Sequence, residues 1–179
     1  MHDNTNITLV TPSDADKQRS LRSEYYAECC AKGGVSIQMC GWIRALHLFT
    51  GGIDNSKYIE QLEILKQQQL FQEGDESSNN QFINIFDKGY RVTLLAREHA
   101  QSCLQPIFAQ SDRQFFRNEL LHSASVAVIR SGNERAVKKM KYSWIVQRGI
   151  NNASFQLDVL DDIWLAWGFQ INFMYNTVL

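Results

Sequence analysis

Phe82-Ile83-Asn84-Ile85-Phe86-Asp87-Lys88-Gly89-Tyr90 is the stretch on which the fold turns. Its first five residues, mostly apolar and rich in Ile and Phe, predict a buried strand, and the run stops at a carboxylate. Gly89 and Tyr90 then turn the chain toward a helix. An Asp at the C-terminal edge of a core strand is held by the sheet while its oxygens face open space. That is a good place for a metal ligand, because rigid elements position such groups better than loops do. An Asp that merely ends a strand reads the same way in isolation, so the surrounding chain has to decide.

Upstream, residues 74–81 form a polar loop without a hydrophobic anchor, preceded by a helix over about 57–72 behind an Asn55-Ser56 cap. Its apolar face is built from Tyr58, Leu62, Ile64, Leu65 and Leu70. Residues 35–40 alternate apolar and polar, and residues 42–50 form a second apolar run closed by Gly51-Gly52. These predict two adjacent antiparallel strands, with Lys32-Gly33-Gly34 as a turn before them. Residues 13–31 read as an irregular excursion with one helical turn, and residues 3–12 as strand or loop.

Downstream, residues 92–99 predict a helix, and residues 103–108 a fifth strand that Pro106 places at an edge. Residues 113–147 are helical in pattern, with Ser131-Gly132 as a point of interruption. Val137, Met140 and Trp144 recur at helical spacing and should face the core. Residues 159–173, apolar and Trp-rich, predict a terminal helix or strand packed on the core. No internal repeat or linker divides the 179 residues, so one domain with one substantial core is expected. Three early strands followed by alternating helices and strands predict an α/β fold with a mixed sheet flanked by helices.

Composition excludes several classes. With 44% hydrophobic and 21% charged residues the chain is globular rather than disordered. No apolar run approaches the roughly 18 residues of a membrane span, so no membrane partner is expected. Residues 1–6 are neither a signal peptide nor an Arg-rich transit peptide. Cys29, Cys30, Cys40 and Cys103 form no C-x-x-C pair and have no His at zinc spacing, which predicts reduced thiols in an intracellular protein. The four His residues share no spacing, and His47 sits in an apolar run as a strand residue. The net charge is −1, yet residues 130–148 hold six bases (Arg130, Arg135, Lys138, Lys139, Lys141, Arg148) against Glu134 alone. Such asymmetry points to an anionic partner on one face, or to a solvated helix face.

Three carboxylates lie at element boundaries in this reading: Asp3, Asp87 and Glu134. Mg²⁺ prefers a few carboxylate oxygens and keeps water, leaving positions for a phosphate. Two such ions, about 3.5–4 Å apart, activate a hydroxyl nucleophile and stabilise the leaving oxygen. Nearby bases hold a nucleic-acid backbone through phosphate contacts, which position without specifying sequence. The alternative for Glu134 is a surface ion-pair ladder with Arg130 and Lys138, four residues to either side.

Four short stretches, in order, give these residues a context. Asp3-Asn4-Thr5-Asn6-Ile7 followed by Pro12, Gly51-Gly52-Ile53-Asp54, Asp87-Lys88-Gly89-Tyr90, and Arg130 with Glu134, Arg135 and Lys141 resemble motifs of the catalytic domain of DDE transposases of the Harbinger-like and IS5-like group. The resemblance spans residue 3 to about residue 148. It implies a ribonuclease H-like fold in which Asp3, Asp87 and Glu134 hold two Mg²⁺ (or Mn²⁺) ions, with Asp54 in a supporting role. Lys88, Arg130, Arg135, Lys138 and Lys141 would contact DNA. The implied activity is that of a DNA endonuclease and transposase, cleaving the transposon end and joining it to target DNA. Against the family pattern, the chain is expected to lack part of its first strand and the N-terminal helix-turn-helix that recognises DNA. A separate DNA-recognition protein would then supply recognition, and an oligomer is compatible with the family. An inactive, transposase-derived DNA- or protein-binding module is the alternative. The workplace is the nucleus if the host is eukaryotic.

Overall fold

The structure, a computed structural model, describes residues 1–25, 27–61, 65–66, 68, 83–99, 101–108, 112–142 and 157–174. Among them are strands β1 (His2–Thr8), β2 (Cys30–Ile37), β3 (Ile43–Thr50), β4 (Ile83–Ile85) and β5 (Ser102–Leu104). The helices are α1 (Ala15–Leu21), α2 (Asn55–Gln61), α3 (Thr93–Glu98), α4 (Arg117–Lys141) and α5 (Leu157–Met174). The fold is mixed α/β, as the sequence predicts. No helix among the described residues is long and apolar enough to cross a membrane. The chain divides into two compact units: residues 1–2 with 55–131, and residues 3–54 with 132–179.

In the second of these units, β1, β2 and β3 form a sheet in that order. β2 and β3 pair antiparallel from Ala31↔Thr50 to Ile37↔Ile43, with a register shift between Ser36 and Ile37. The hairpin closes through Gln38 N–H to Trp42 O, with Gly41 at φ 85°. Cys30, Ala31, Val35, Leu46, Leu48 and Phe49 are buried along the two strands.

The glycine pair expected to turn the chain lies instead inside β2. A Cβ on Gly33 would stand 2.6 Å from Cζ2 of Trp164, so the bare backbone makes room for the indole. Trp164 is buried and donates its Nε1 hydrogen to Gly34 O at 3.4 Å. α5 is wholly helical and packs by Leu160, Trp164 and Ile171; at Gly168 it comes so close that a Cβ would stand 1.8 Å from Leu46 Cδ1. Among the described residues β3 is an edge strand, and α5 supplies partners to its backbone. Asn172 accepts from Ile43 N–H at 2.8 Å and donates to Ile43 O at 2.9 Å, while Asp161 accepts from Leu48 N–H at 2.7 Å.

Residues 13–31, read as irregular, contain two turns of helix. Asp14 caps α1, accepting from the backbone N–H of Asp16 at 2.9 Å and of Lys17 at 3.0 Å. These bonds hold the Asp14 carboxyl below its ordinary pKa. The four cysteines are free thiols, and burial pushes Cys103 up to about 11.

In the other unit, β4 and β5 pair parallel from Ile83↔Ser102 to Ile85↔Leu104, with α3 in the connection between them. β5 is shorter than expected and ends before Pro106. α2 begins at Asn55, two residues earlier than the expected helix. The expected loop over 74–81, Phe82, Leu62, Ile64, Leu70, Trp144 and Arg148 lie outside the described residues. α4 runs unbroken through Ser131-Gly132, with the Ser131 hydroxyl donating to Val128 O at 2.7 Å in the preceding turn. Of the residues expected to face the core, Met140 is buried and Val137 half-buried.

Close approach at Gly33 sets a testable difference between glycines. Gly33→Ala should lower stability by about 1–3 kcal/mol, since a buried ring and a strand have no room to retreat. Gly89→Ala should stay within about 0.5 kcal/mol, because a Cβ there meets only Asn55 Nδ2, at 3.7 Å. Urea unfolding of both variants checks this; equal midpoints would contradict the packing.

Candidate functional site

Asp87 stands two residues beyond the end of β4, on the turn that follows Ile85 and Phe86, both buried. Several bonds fix this turn. Tyr90 N–H donates to Asp87 O at 3.2 Å, and the Gln105 side-chain amide donates to both Asp87 O and Tyr90 O at 2.9 Å. Gln105 comes from the chain just past β5, so the parallel pairing of β4 and β5 brings it to the Asp87 turn. The Asp87 carboxylate accepts Lys88 N–H at 2.7 Å and meets Arg130 Nη1 at 3.3 Å. The Asp87 side chain is 42% exposed and Arg130 only 16%, so the carboxylate opens to solvent while the guanidinium is largely covered.

Beneath the turn, β4 carries a buried polar chain. Asn84 donates through Nδ2 to Gln68 Oε1 at 2.9 Å and to Gln101 Oε1 at 2.6 Å. Gln101 donates in turn to Leu65 O at 2.6 Å. Asn84 Oδ1 can only accept, so His2 Nε2, 2.9 Å away, carries a hydrogen. The His2 ring also stacks on Phe86, with centroids 4.7 Å apart. Asn84, Gln68, Gln101 and His2 are all buried, where an unmade hydrogen bond costs about 1–3 kcal/mol. The network therefore ties β4 in register against its neighbours.

α4 is anchored at its start. Glu119, in the first turn, accepts Phe116 N–H at 2.8 Å and takes both guanidinium nitrogens of Arg113, at 2.7 and 2.8 Å. The Arg113 guanidinium also lies 4.8 Å from the centre of the Phe116 ring. Arg113 and the Phe116 amide hold the Glu119 carboxyl down to about 2. Farther on, Ser123 Oγ accepts Ile107 N–H at 3.2 Å, joining the helix to the chain after β5. The same helix then delivers Arg130 to Asp87.

The other expected site residues are placed as follows. Asp3 is the second residue of β1, half-buried, and its carboxylate accepts Asn4 N–H at 2.8 Å. Glu134 lies one helical turn beyond Arg130 on α4, exposed, followed by exposed Arg135, Lys138 and Lys141. Asp54 follows the Gly51-Gly52-Ile53 turn and directly precedes α2. That turn is held by Ile53 N–H to Thr50 O and by the Lys32 ammonium on Ile53 O. Lys88 is exposed in the Asp87 turn. The structure thus brings Asp87 together with Arg130 in one unit; Asp3 and Glu134 belong to the other. Among the described residues no group of three or more His, Cys, Asp or Glu side chains is placed to hold a metal ion.

Sequence reading missed Gln105, Gln101 and the Glu119–Arg113 anchor. A signal was present for two features. Asn84 interrupts an otherwise apolar strand, and Glu119 occupies the position from which a first-turn carboxylate reaches back to the amide preceding the helix. Comparison with protein-family models, with curated proteins and with solved structures yields no match for this chain.

Glu119 gives the helix anchor a pH signature. Its folded pKa lies below the ordinary 4.5, so its contribution is complete above about pH 4.5 and is lost as pH falls toward about 2. Glu119→Gln should be less stable than the parent near pH 7. The gap should close between about pH 4.5 and 2, which urea midpoints across that range measure. A gap independent of pH would contradict the anchor.

Proposed function

We propose that the chain is a catalytic domain of the DDE type, with a ribonuclease H-like fold, acting on DNA phosphodiesters with divalent metal ions. One observation carries the reading: Asp87 sits on a fixed turn just past a core strand, and the helix that reaches it with Arg130 carries Glu134 four residues on. Three further features support it. The β1-β2-β3 sheet has its β2–β3 hairpin antiparallel, and β4 and β5 pair parallel. The strand whose His2 bonds Asn84 carries Asp3 next. Exposed Arg135, Lys138 and Lys141 follow Glu134 on one helix.

In this reading Asp3, Asp87 and Glu134 hold the metal ions, with Asp54 supporting. Bound divalent ions lower the pKa of a water or hydroxyl and stabilise the leaving oxygen. The chain's own residues orient the substrate. Lys88, Arg130, Arg135, Lys138 and Lys141 take phosphates of the DNA backbone, an interaction that weakens with salt. Arg130 meets Asp87 through Oδ1, so a metal ion and the guanidinium share one carboxylate and compete for its charge. A DNA phosphate that takes over Arg130 frees the carboxylate, so DNA and metal binding assist each other.

The same ion pair favours a second reading, a module that binds DNA or protein without cutting, in which Arg130 permanently neutralises Asp87. Plasmid nicking in Mg²⁺ or Mn²⁺, together with thermal unfolding with and without Mn²⁺, separates the two. The first reading expects nicking that Asp87→Asn lowers by more than the roughly 10–100-fold cost of losing even an outer partner of a metal. It also expects a Mn²⁺-dependent rise in melting temperature, larger in Arg130→Gln and absent in Asp87→Asn. DNA retention that falls with salt, with no cleavage and no Mn²⁺ response in any variant, establishes the non-cutting module instead.

A further inference from the structure

α5 has two apolar faces, and the fold of its own unit uses one. Leu160, Trp164, Gly168 and Ile171 are buried. Leu165, Phe169 and Phe173, spaced four apart, form a straight stripe on the opposite side, exposed by 43%, 65% and 65%. Trp42, 44% exposed at the start of the hairpin's second arm, meets Phe173 edge-on at 5.7 Å and continues the stripe onto β3. Phe169 and Phe173 lie 4.9 Å apart, so the aromatics form one cluster rather than scattered side chains. Beside the cluster runs a groove of about 480 Å³ between α5 and β3, with Leu46, Ala166 and Ile43 in its walls.

Size and chemistry identify what covers it. A large aromatic side chain presents roughly 150–250 Å², so the exposed fractions of Trp42, Phe169 and Phe173 amount to about 300–400 Å². Leu165, 43% exposed, brings the patch to roughly 400–450 Å², within the usual range for a monomer's largest apolar patch. Two such patches face to face bury about 800–900 Å², the size of a weak, transient protein–protein contact. One face carries both protruding rings and a groove to receive them, which is the requirement for a self-complementary two-fold contact. Its middle is aromatic, as interface centres are, with Arg44 in the groove wall and exposed Asp162 on the same helical face as its charged groups.

We propose that this face pairs with the same face of a second copy of the chain, the α5 helices crossing near Phe169. Phe169 then faces its own counterpart across the two-fold, and Phe173 of each copy enters the groove of the other. The contact is independent of whether the chain cuts DNA.

Sedimentation velocity over a concentration series tests this on the whole chain. The parent should dimerise in the micromolar range, and Phe169→Glu, which places a charge in the centre, should weaken the dimer at least about tenfold. Circular dichroism and the melting temperature confirm that this outward-facing variant still folds. In parallel, Phe169→Cys on a Cys40→Ser background should form a disulfide-linked dimer under mild oxidation, whereas Gln170→Cys on that background should not. A parent that remains monomeric at about 100 µM, or a dimer that Phe169→Glu leaves intact, overturns the proposal. So does cross-linking at Gln170→Cys equal to that at Phe169→Cys.

Discussion

The outer edge of β3 imposes the constraint from which much of this structure follows. An edge strand presents backbone groups with no neighbouring strand, and those groups must find partners or recruit a foreign strand. Here α5 supplies the partners. Asn172 reproduces with one side-chain amide the paired bonds of a strand neighbour at Ile43, and Asp161 takes Leu48 N–H. Asp161 also meets His47 Nδ1 at 2.7 Å, so one carboxylate holds backbone and side chain of adjacent β3 residues. Once those bonds position the helix, Trp164 must pass over β2, and only glycine at position 33 admits it. The glycine pair and the terminal helix are therefore parts of one device. The device also dictates which helical face is turned away, leaving Leu165, Phe169 and Phe173 exposed.

A different kind of constraint governs the residues around Asp87. β4 is only three residues long, too short for its own ladder to hold a turn in place. The buried amides of Asn84, Gln68 and Gln101 add directional bonds beneath it, and Gln105 ties the turn from the β5 side. Apolar packing alone would tolerate small slips, whereas each buried amide loses a costly bond if the strand moves. Polar residues inside an apolar strand thus supply the precision that a site at the strand's end requires.

The strands and helices with strong periodicity or length were legible: the 35–50 hairpin, the helix after residue 113, the strand leading to Asp87. The errors have physical causes. Lys32-Gly33-Gly34 reads as a turn because glycine pairs usually mark one, yet its role is to leave space for a Trp 131 residues away in sequence, which no local window can register. Residues 13–31 look irregular because α1 buries no residue and so shows no apolar stripe; its cap at Asp14 was the available signal. Ser131-Gly132 looks like a break because both residues favour turns, but α4 continues through it, with the Ser131 hydroxyl turned back onto Val128 O. For the site, Asp87 and Arg130 were both legible as candidates. Their pairing across 43 positions was not, since in sequence Arg130 has a nearer acid at Glu134.

That pairing carries a consequence for how Asp87 behaves. Arg130 is largely covered while Asp87 is open, so the two partners have unequal alternatives. The carboxylate can turn to water or to a cation at little cost, whereas the covered guanidinium has less access to water as a replacement. Any cation that draws Asp87 away must therefore compete with Arg130 for the carboxylate. An anion arriving at Arg130 eases that competition, and a phosphate can take a guanidinium bidentately, where Asp87 meets it through Nη1 at 3.3 Å. An exposed acid paired with a covered base thus responds to anions as strongly as to cations. This asymmetry distinguishes the pair from an ordinary surface salt bridge, whose partners separate freely and whose contribution is small.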